Sequence, residues 1–188
     1  QYNLSIPVKT PLQPYLVIYA KSALALQSYP GAIFNITDIV VIFHSIEFID
    51  KDLDKLEIGG ILAWSIPINT PSIAYTAIYF ADDEKGTNRQ TPAFGHAGWN
   101  TPAFAVPADT YFGVHTHFLI VAASILEEQS KNFTAFAFRD TDGSAHNISF
   151  SDLDLDAGDV GGSIYWESPL DKTAAVEFYD IFLGIDSA

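Results

Sequence analysis

Cysteine is absent from the 188 residues, which excludes disulfides and thiolate metal sites and leaves the compartment to be read from other residue types. Methionine is absent too, even at position 1, where Gln1 opens a polar and aromatic segment. With no charged region followed by an apolar one at its start, the chain reads as processed or as cut from something longer. Basic residues are scarce: 9 Lys+Arg stand against 23 Asp+Glu, a formal net charge of −14. Nucleic-acid affinity comes from Lys and Arg releasing counterions, so nucleic acid and anionic membrane surfaces are disfavoured partners. Long apolar runs are also missing. Stretches such as 39–43 and 118–123 fall far short of the roughly 20 residues that cross a bilayer as a helix, so no membrane insertion is expected.

What is present is apolar and aromatic mass: 48% hydrophobic and 14% aromatic residues with only 17% charged. That excludes disorder, which needs low hydrophobicity beside high charge, and suffices for one large or two small cores. Four of the seven asparagines stand in N-x-S/T, at Asn3, Asn35, Asn132 and Asn147. The 26 Ser and Thr would give about one such acceptor by chance. The excess points to a secreted, extracellular or cell-surface chain carrying N-linked glycans at these four positions, which must then be exposed.

The organisation lies in an internal repeat. Sliding the chain by 102 positions lays residues 15–67 on 117–169 without a gap, with 19 identities in 53 pairs. Ile18, Ala20, Ser22 and Leu24 fall on Ile120, Ala122, Ser124 and Leu126, followed by Gln27-Ser28 on Gln129-Ser130. His44, Ile46, Phe48 and Asp50 fall on His146, Ile148, Phe150 and Asp152. Gly59-Gly60, Trp64 and Pro67 fall on Gly161-Gly162, Trp166 and Pro169. The alternation within these blocks and the Val, Ile, Phe, Tyr and Thr content predict strands. They are expected near 15–20, 33–39, 45–49, 60–66 and 74–81, and again near 114–122, 135–139, 147–151, 163–166 and 176–183. Residues 22–27 and 124–129 are expected to make at most a short helical turn. Many short strands punctuated by Gly, Pro and Asp predict an all-β chain of antiparallel sandwiches.

The segment Ile61-Leu-Ala-Trp64-Ser-Ile-Pro67 followed by Tyr75-Thr-Ala-Ile-Tyr79 resembles strands B and C of fibronectin type III modules, which are immunoglobulin-like sandwiches. Ser163-Ile-Tyr-Trp166-Glu-Ser-Pro169 followed by Phe178-Tyr179-Asp-Ile-Phe182 repeats it, and Val106-Pro107 leading to residues 117–122 is similar to the approach to strand F. The resemblance implies a Trp and a Tyr in the core between two sheets. It departs over 82–101, an extended stretch in place of a tight connection, and at 110–114.

If the family's strand order A-B-C-C′-E-F-G holds, residues 1–39 are the C-terminal half of a sandwich (E-F-G), 40–140 a complete one, and 141–188 an N-terminal half (A-B-C). In such sandwiches the chain enters and leaves at opposite poles, roughly 25–35 Å apart for strands of seven to ten residues, so closing the two halves within one chain is awkward. Completion by a neighbouring protomer avoids this, and a head-to-tail contact that does not close makes a filament. The expected partner is the chain itself, as a structural protomer of an extracellular fibre. A longer tandem array cut out of phase and permuted 102-residue modules are the other readings of the same repeat.

Asp50, Asp52 and Asp54, repeated as Asp152, Asp154 and Asp156, offer hard oxygen ligands at the alternating spacing that suits calcium, the one metal the sequence suggests. The loop glycine is displaced to Gly158 and no Glu follows at the required distance, so a solvated acidic edge is the competing reading. His115 and His117 share a strand face without a third ligand, and His44 and His146 open apolar strands as structural histidines would. There is no Cys nucleophile, no G-x-S-x-G and no H-E-x-x-H, so neither an enzyme nor a cofactor is expected. The 82–101 stretch carries Phe94, His96 and Trp99 among glycines. Those rings would serve an adhesin or carbohydrate-binding module, the second function class, or would cover the end of the sandwich.

Overall fold

A computed structural model describes residues 2–68, 72–171 and 175–185. Among them are eleven strands and no helix. They are β1 (Tyr15–Ile18), β2 (Ala32–Asn35), β3 (His44–Glu47), β4 (Glu57–Ser65), β5 (Tyr75–Ala81), β6 (Gly95–Gly98), β7 (Ala103–Tyr111), β8 (His117–Ala123), β9 (Thr134–Ala137), β10 (His146–Asp152) and β11 (Gly162–Glu167). Every pairing is antiparallel. A three-stranded sheet runs β3-β4-β7 and a four-stranded sheet β6-β5-β8-β9, while β1-β2 and β10-β11 are separate hairpins.

All fully buried side chains among the described residues lie between Phe43 and Thr141. Ile58, Leu62, Trp64 and Val106 from the first sheet meet Ile78, Phe80, Phe118, Ile120 and Ala122 from the second. Phe118 is the hub, its ring 5.1 Å from Phe80, 4.8 Å from Phe138 and 5.2 Å from Phe48. The resemblance-based expectation of a core Trp is met by Trp64, which lies edge-on to Phe43. The counterpart Tyr is not in that cluster: Tyr79 belongs to a second one on the outer face of the four-stranded sheet, with Ala77, Ala81, Leu119 and Val121. Burial on both faces is why β5 (YTAIYFA) and β8 (HFLIVAA) read as continuous apolar runs rather than alternating ones.

Four expectations need correction. Residues 22–27 and 124–129 are not helical turns. The Ser124 hydroxyl accepts the N–H groups of Leu126 and Glu127, Ser22 does the same for Leu24 and Ala25, and a single bridge closes each turn. A serine that captures nearby amides offers the backbone an alternative to a helix. The stretch 82–101 is not all loop, since β6 pairs with β5 there. Strand β7, not foreseen over 103–111, accommodates Pro107 at a register shift in its pairing with β4, where a missing N–H breaks no ladder bond. Residues 176–183 form no strand, for among the described residues no strand pairs with them; Tyr179 only lies edge-on to Trp166 of β11, at 5.4 Å.

Candidate functional site

The duplication in sequence is a duplication in backbone geometry. The β1-β2 register, Tyr15 opposite Asn35 to Ile18 opposite Ala32, is repeated 102 positions on by His117 opposite Ala137 to Ile120 opposite Thr134. The β3-β4 pairs His44 with Ser65 and Glu47 with Ala63, across an irregularity, return as His146 with Glu167 and Ser149 with Tyr165. Gly60 and Gly162 hold similar positive φ, 149° and 157°, and a Cβ there would fall 2.6 Å from the Ile49 carbonyl oxygen or 2.2 Å from that of its counterpart Ser151. No other residue fits that approach, which accounts for the recurring glycine.

Each hairpin therefore repeats the register of a strand pair of the central sandwich, with no further strand paired to it among the described residues. Ile120 is completely buried and its counterpart Ile18 is 58% exposed; Val106 is 3% exposed and Leu4 is 89%; Ile58 is buried and Val160 is 60% exposed. Leu62 and Ile164, and the pair Ile46 and Ile148, show the same contrast. The apolar side chains are retained at core positions where the core is missing. This is an exposed apolar surface far beyond scattered single residues, and such surfaces mark interaction sites.

The acidic loops are built alike. Asp50 Oδ1 accepts the N–H groups of Asp52 and Gly59 at 3.1 and 2.9 Å, and Asp152 Oδ1 accepts those of Asp154 and Gly161 at 3.0 and 2.9 Å. In the central sandwich Asp50 Oδ2 also accepts Thr141 N–H at 2.9 Å, and Asp140 accepts Leu56 N–H at 3.0 Å. Burial pushes the Asp50 carboxyl above the usual carboxylate range, against the lowering effect of its three backbone donors. The Asp152 carboxyl, accepting from Gly161 and Asp154 in solvent, is held below it. Asp50→Ala would strand three amide donors where water reaches poorly, a cost of about 2–4 kcal/mol. The melting temperature should fall by roughly 10–20 °C, whereas Asp152→Ala should leave it unchanged.

Asp50 is thus occupied by backbone. The carboxylates that converge are instead Asp52, Asp54, Glu57 and Asp109, whose ligand atoms lie within 4.8 Å of one another. Asp109 is brought there by the pairing of β4 with β7, which no local spacing in the sequence could show. An all-carboxylate donor set suits a hard cation such as calcium. Asp154 and Asp156 repeat the first two of these positions in the exposed hairpin loop.

The other singled-out residues disperse. Phe94 packs against the core beside Phe80 and Phe104, at 4.7 and 5.7 Å, and so is not free to meet a ligand. His96 lies edge-on to Tyr75 and Trp99 is 57% exposed. His115 pairs with Asp82 at 2.7 Å and His117 with the Thr116 hydroxyl at 2.7 Å, so the two imidazoles have different partners. His44 is exposed, and His146 approaches the Glu167 carbonyl at 3.3 Å. All four sequon asparagines are exposed; Asn132 and Asn147 are on left-handed backbone, and Asn35 ends β2.

On the outer face of the four-stranded sheet the Tyr79 hydroxyl donates to Glu128 at 2.6 Å, and Arg89 lies 4.3 Å from its ring centre. Burial first, then the hydrogen bond to Glu128, pushes the Tyr79 hydroxyl up to about 12. Between the ordinary tyrosine value and that one, the unfolded chain ionises while Tyr79 stays protonated. Its stabilisation is present below pH ~10 and is lost as pH rises through the folded value. Absorbance titration at 295 nm should show one tyrosine ionising near 12, and Glu128→Ala should move it back toward 10.

No known protein family, curated protein or solved structure matches the chain. Functional reading therefore rests on the geometry of the two separate hairpins and the central sandwich.

Proposed function

We propose that the chain is a structural protomer that assembles head to tail, the β10-β11 half of one copy being completed by the β1-β2 half of the next. The carrying observation is that residues standing 102 positions from buried core residues are themselves apolar and exposed, on both halves at once. Residues 2–8 would lie along β11 as β7 lies along β4, placing Leu4 and Tyr2 where Val106 and Phe104 sit. Each aliphatic side chain so buried contributes about 1.5–3 kcal/mol. Polar groups have matching places: Asp38 stands 102 positions before Asp140, whose carboxylate accepts an amide of the acidic loop.

The pairing order β3-β4-β7 and β6-β5-β8-β9 supports a fibronectin type III-like module as the repeating unit. The sequons support an extracellular, N-glycosylated fibre. Asn3 and Asn35 correspond to Ala105 and Ala137, and Asn147 to Ser45, all exposed in the complete sandwich, so sugars there would not obstruct the joint. Because the donor half and the acceptor half are different surfaces, the contact is heterologous and open-ended.

Light scattering and negative-stain microscopy of the full chain test this. Filaments are the expected result, with mass rising with concentration. A monodisperse population at the 20.6 kDa of one chain at all concentrations would contradict it.

A further inference from the structure

We infer that residues 178–184 of one copy add as an antiparallel strand along the open edge of β1 in the next, with Asp180 opposite Tyr19 and Ile181 opposite Ile18. The inference rests on the head-to-tail reading and fixes its register. Among the described residues β1 is paired with β2 alone, so its other edge offers unpaired backbone groups to a strand. In the complete sandwich the matching edge of β8 is taken by β5, with Thr76 opposite Ala122, Ala77 opposite Val121 and Ile78 opposite Ile120. Residues 176–184 form no strand of their own, and Phe178, Ile181, Phe182 and Leu183 are exposed at 73%, 55%, 84% and 86%.

The choice of register turns on one charge. Phe178-Tyr-Asp-Ile-Phe182 matches Tyr75-Thr-Ala-Ile-Tyr79 at a separation of 103, one more than in the rest of the repeat. At 103, Tyr179, Ile181 and Leu183 take the places of Thr76, Ile78 and Phe80 on the core face, and Asp180 takes that of Ala77 on the other. At 102, Asp180 would stand at Ile78, which is completely buried. An unpaired carboxylate there would cost several kcal/mol. On the outer face Asp180 instead lies diagonal to Lys21, within reach of a long side chain. The extra residue therefore turns the acid out of the core and toward a cation.

The cysteine-free chain allows a direct test by paired substitution. Residues directly opposite in an antiparallel pair have Cα atoms about 4.5–5.5 Å apart, inside the span of a disulfide. Tyr19→Cys with Asp180→Cys should, on oxidation, give a ladder of covalent multimers that reduction collapses. Tyr19→Cys with Tyr179→Cys, opposite only at a separation of 102, should give at least tenfold less. Tyr19→Cys and Asp180→Cys on separate chains, mixed, should give covalent dimer alone, which keeps the test open should the double variant assemble poorly. A ladder from the Tyr179 pair, or from neither pair while the chains assemble, overturns the register and leaves the filament standing. A disulfide closed within single chains, or a parent chain that does not assemble, removes the head-to-tail reading and this inference with it.

Discussion

Ile18→Asp is expected to abolish assembly while shifting the melting of the central sandwich by no more than about 2 °C. Ile18 is 58% exposed in the free chain, where a surface substitution moves stability by about half a kcal/mol or less. In the proposed joint it occupies the place of Ile120, which is completely buried between the sheets. An aspartate there loses the burial of the aliphatic side chain and places an uncompensated charge in the core, together about 4 kcal/mol or more, so association should weaken at least a thousandfold. Sedimentation velocity against concentration, with a melt of the same sample, reads both quantities. Loss of assembly accompanied by an equal loss of thermal stability would mean that Ile18 supports the fold of its own chain instead.

The second large effect is Phe118→Ala. Phe118 is wholly buried and contacts Phe48, Phe80 and Phe138, so truncation should cost about 3–5 kcal/mol. For a core of this size the melting temperature should drop by roughly 15–30 °C. Leu16→Ala, the counterpart change in the repeat, should leave the melt of the unassembled chain unmoved, because Leu16 is 42% exposed there. In the proposed joint one position in the repeat would thus have two energetic roles, set by whether the opposing sheet belongs to the same chain.

Much of this was legible from the sequence because the repeat carries its own key. Side chains that alternate in Ser45–Glu47 and its counterpart, the recurring Gly59-Gly60 and the Trp64 and Trp166 pair all mark strands that the two copies form in the same register. What was not legible depends on partners distant in sequence. Strand β7 was hidden by Pro107, tolerated only because the register shifts there. Asp109 joins the acidic cluster through that pairing, and Asp50 leaves it because three backbone amides claim its oxygens. Residues 176–183 have the pattern of a strand without an adjacent strand to pair with, and pattern alone does not make one. Phe94 reads as a loop aromatic but is drawn inward by Phe80 and Phe104.

Mixing two disabled variants tests head-to-tail completion most directly. Ile18→Asp damages the β1-β2 half and keeps the β10-β11 half; Ile164→Asp does the reverse, at the counterpart of the buried Leu62. Neither should polymerise alone. Combined in equal amounts they have one intact joint between them, so light scattering should find a one-to-one complex of twice the 20.6 kDa chain mass and nothing longer. Two unchanged monomers in the mixture, or either variant forming filaments by itself, would contradict the completion of one chain's sandwich by another.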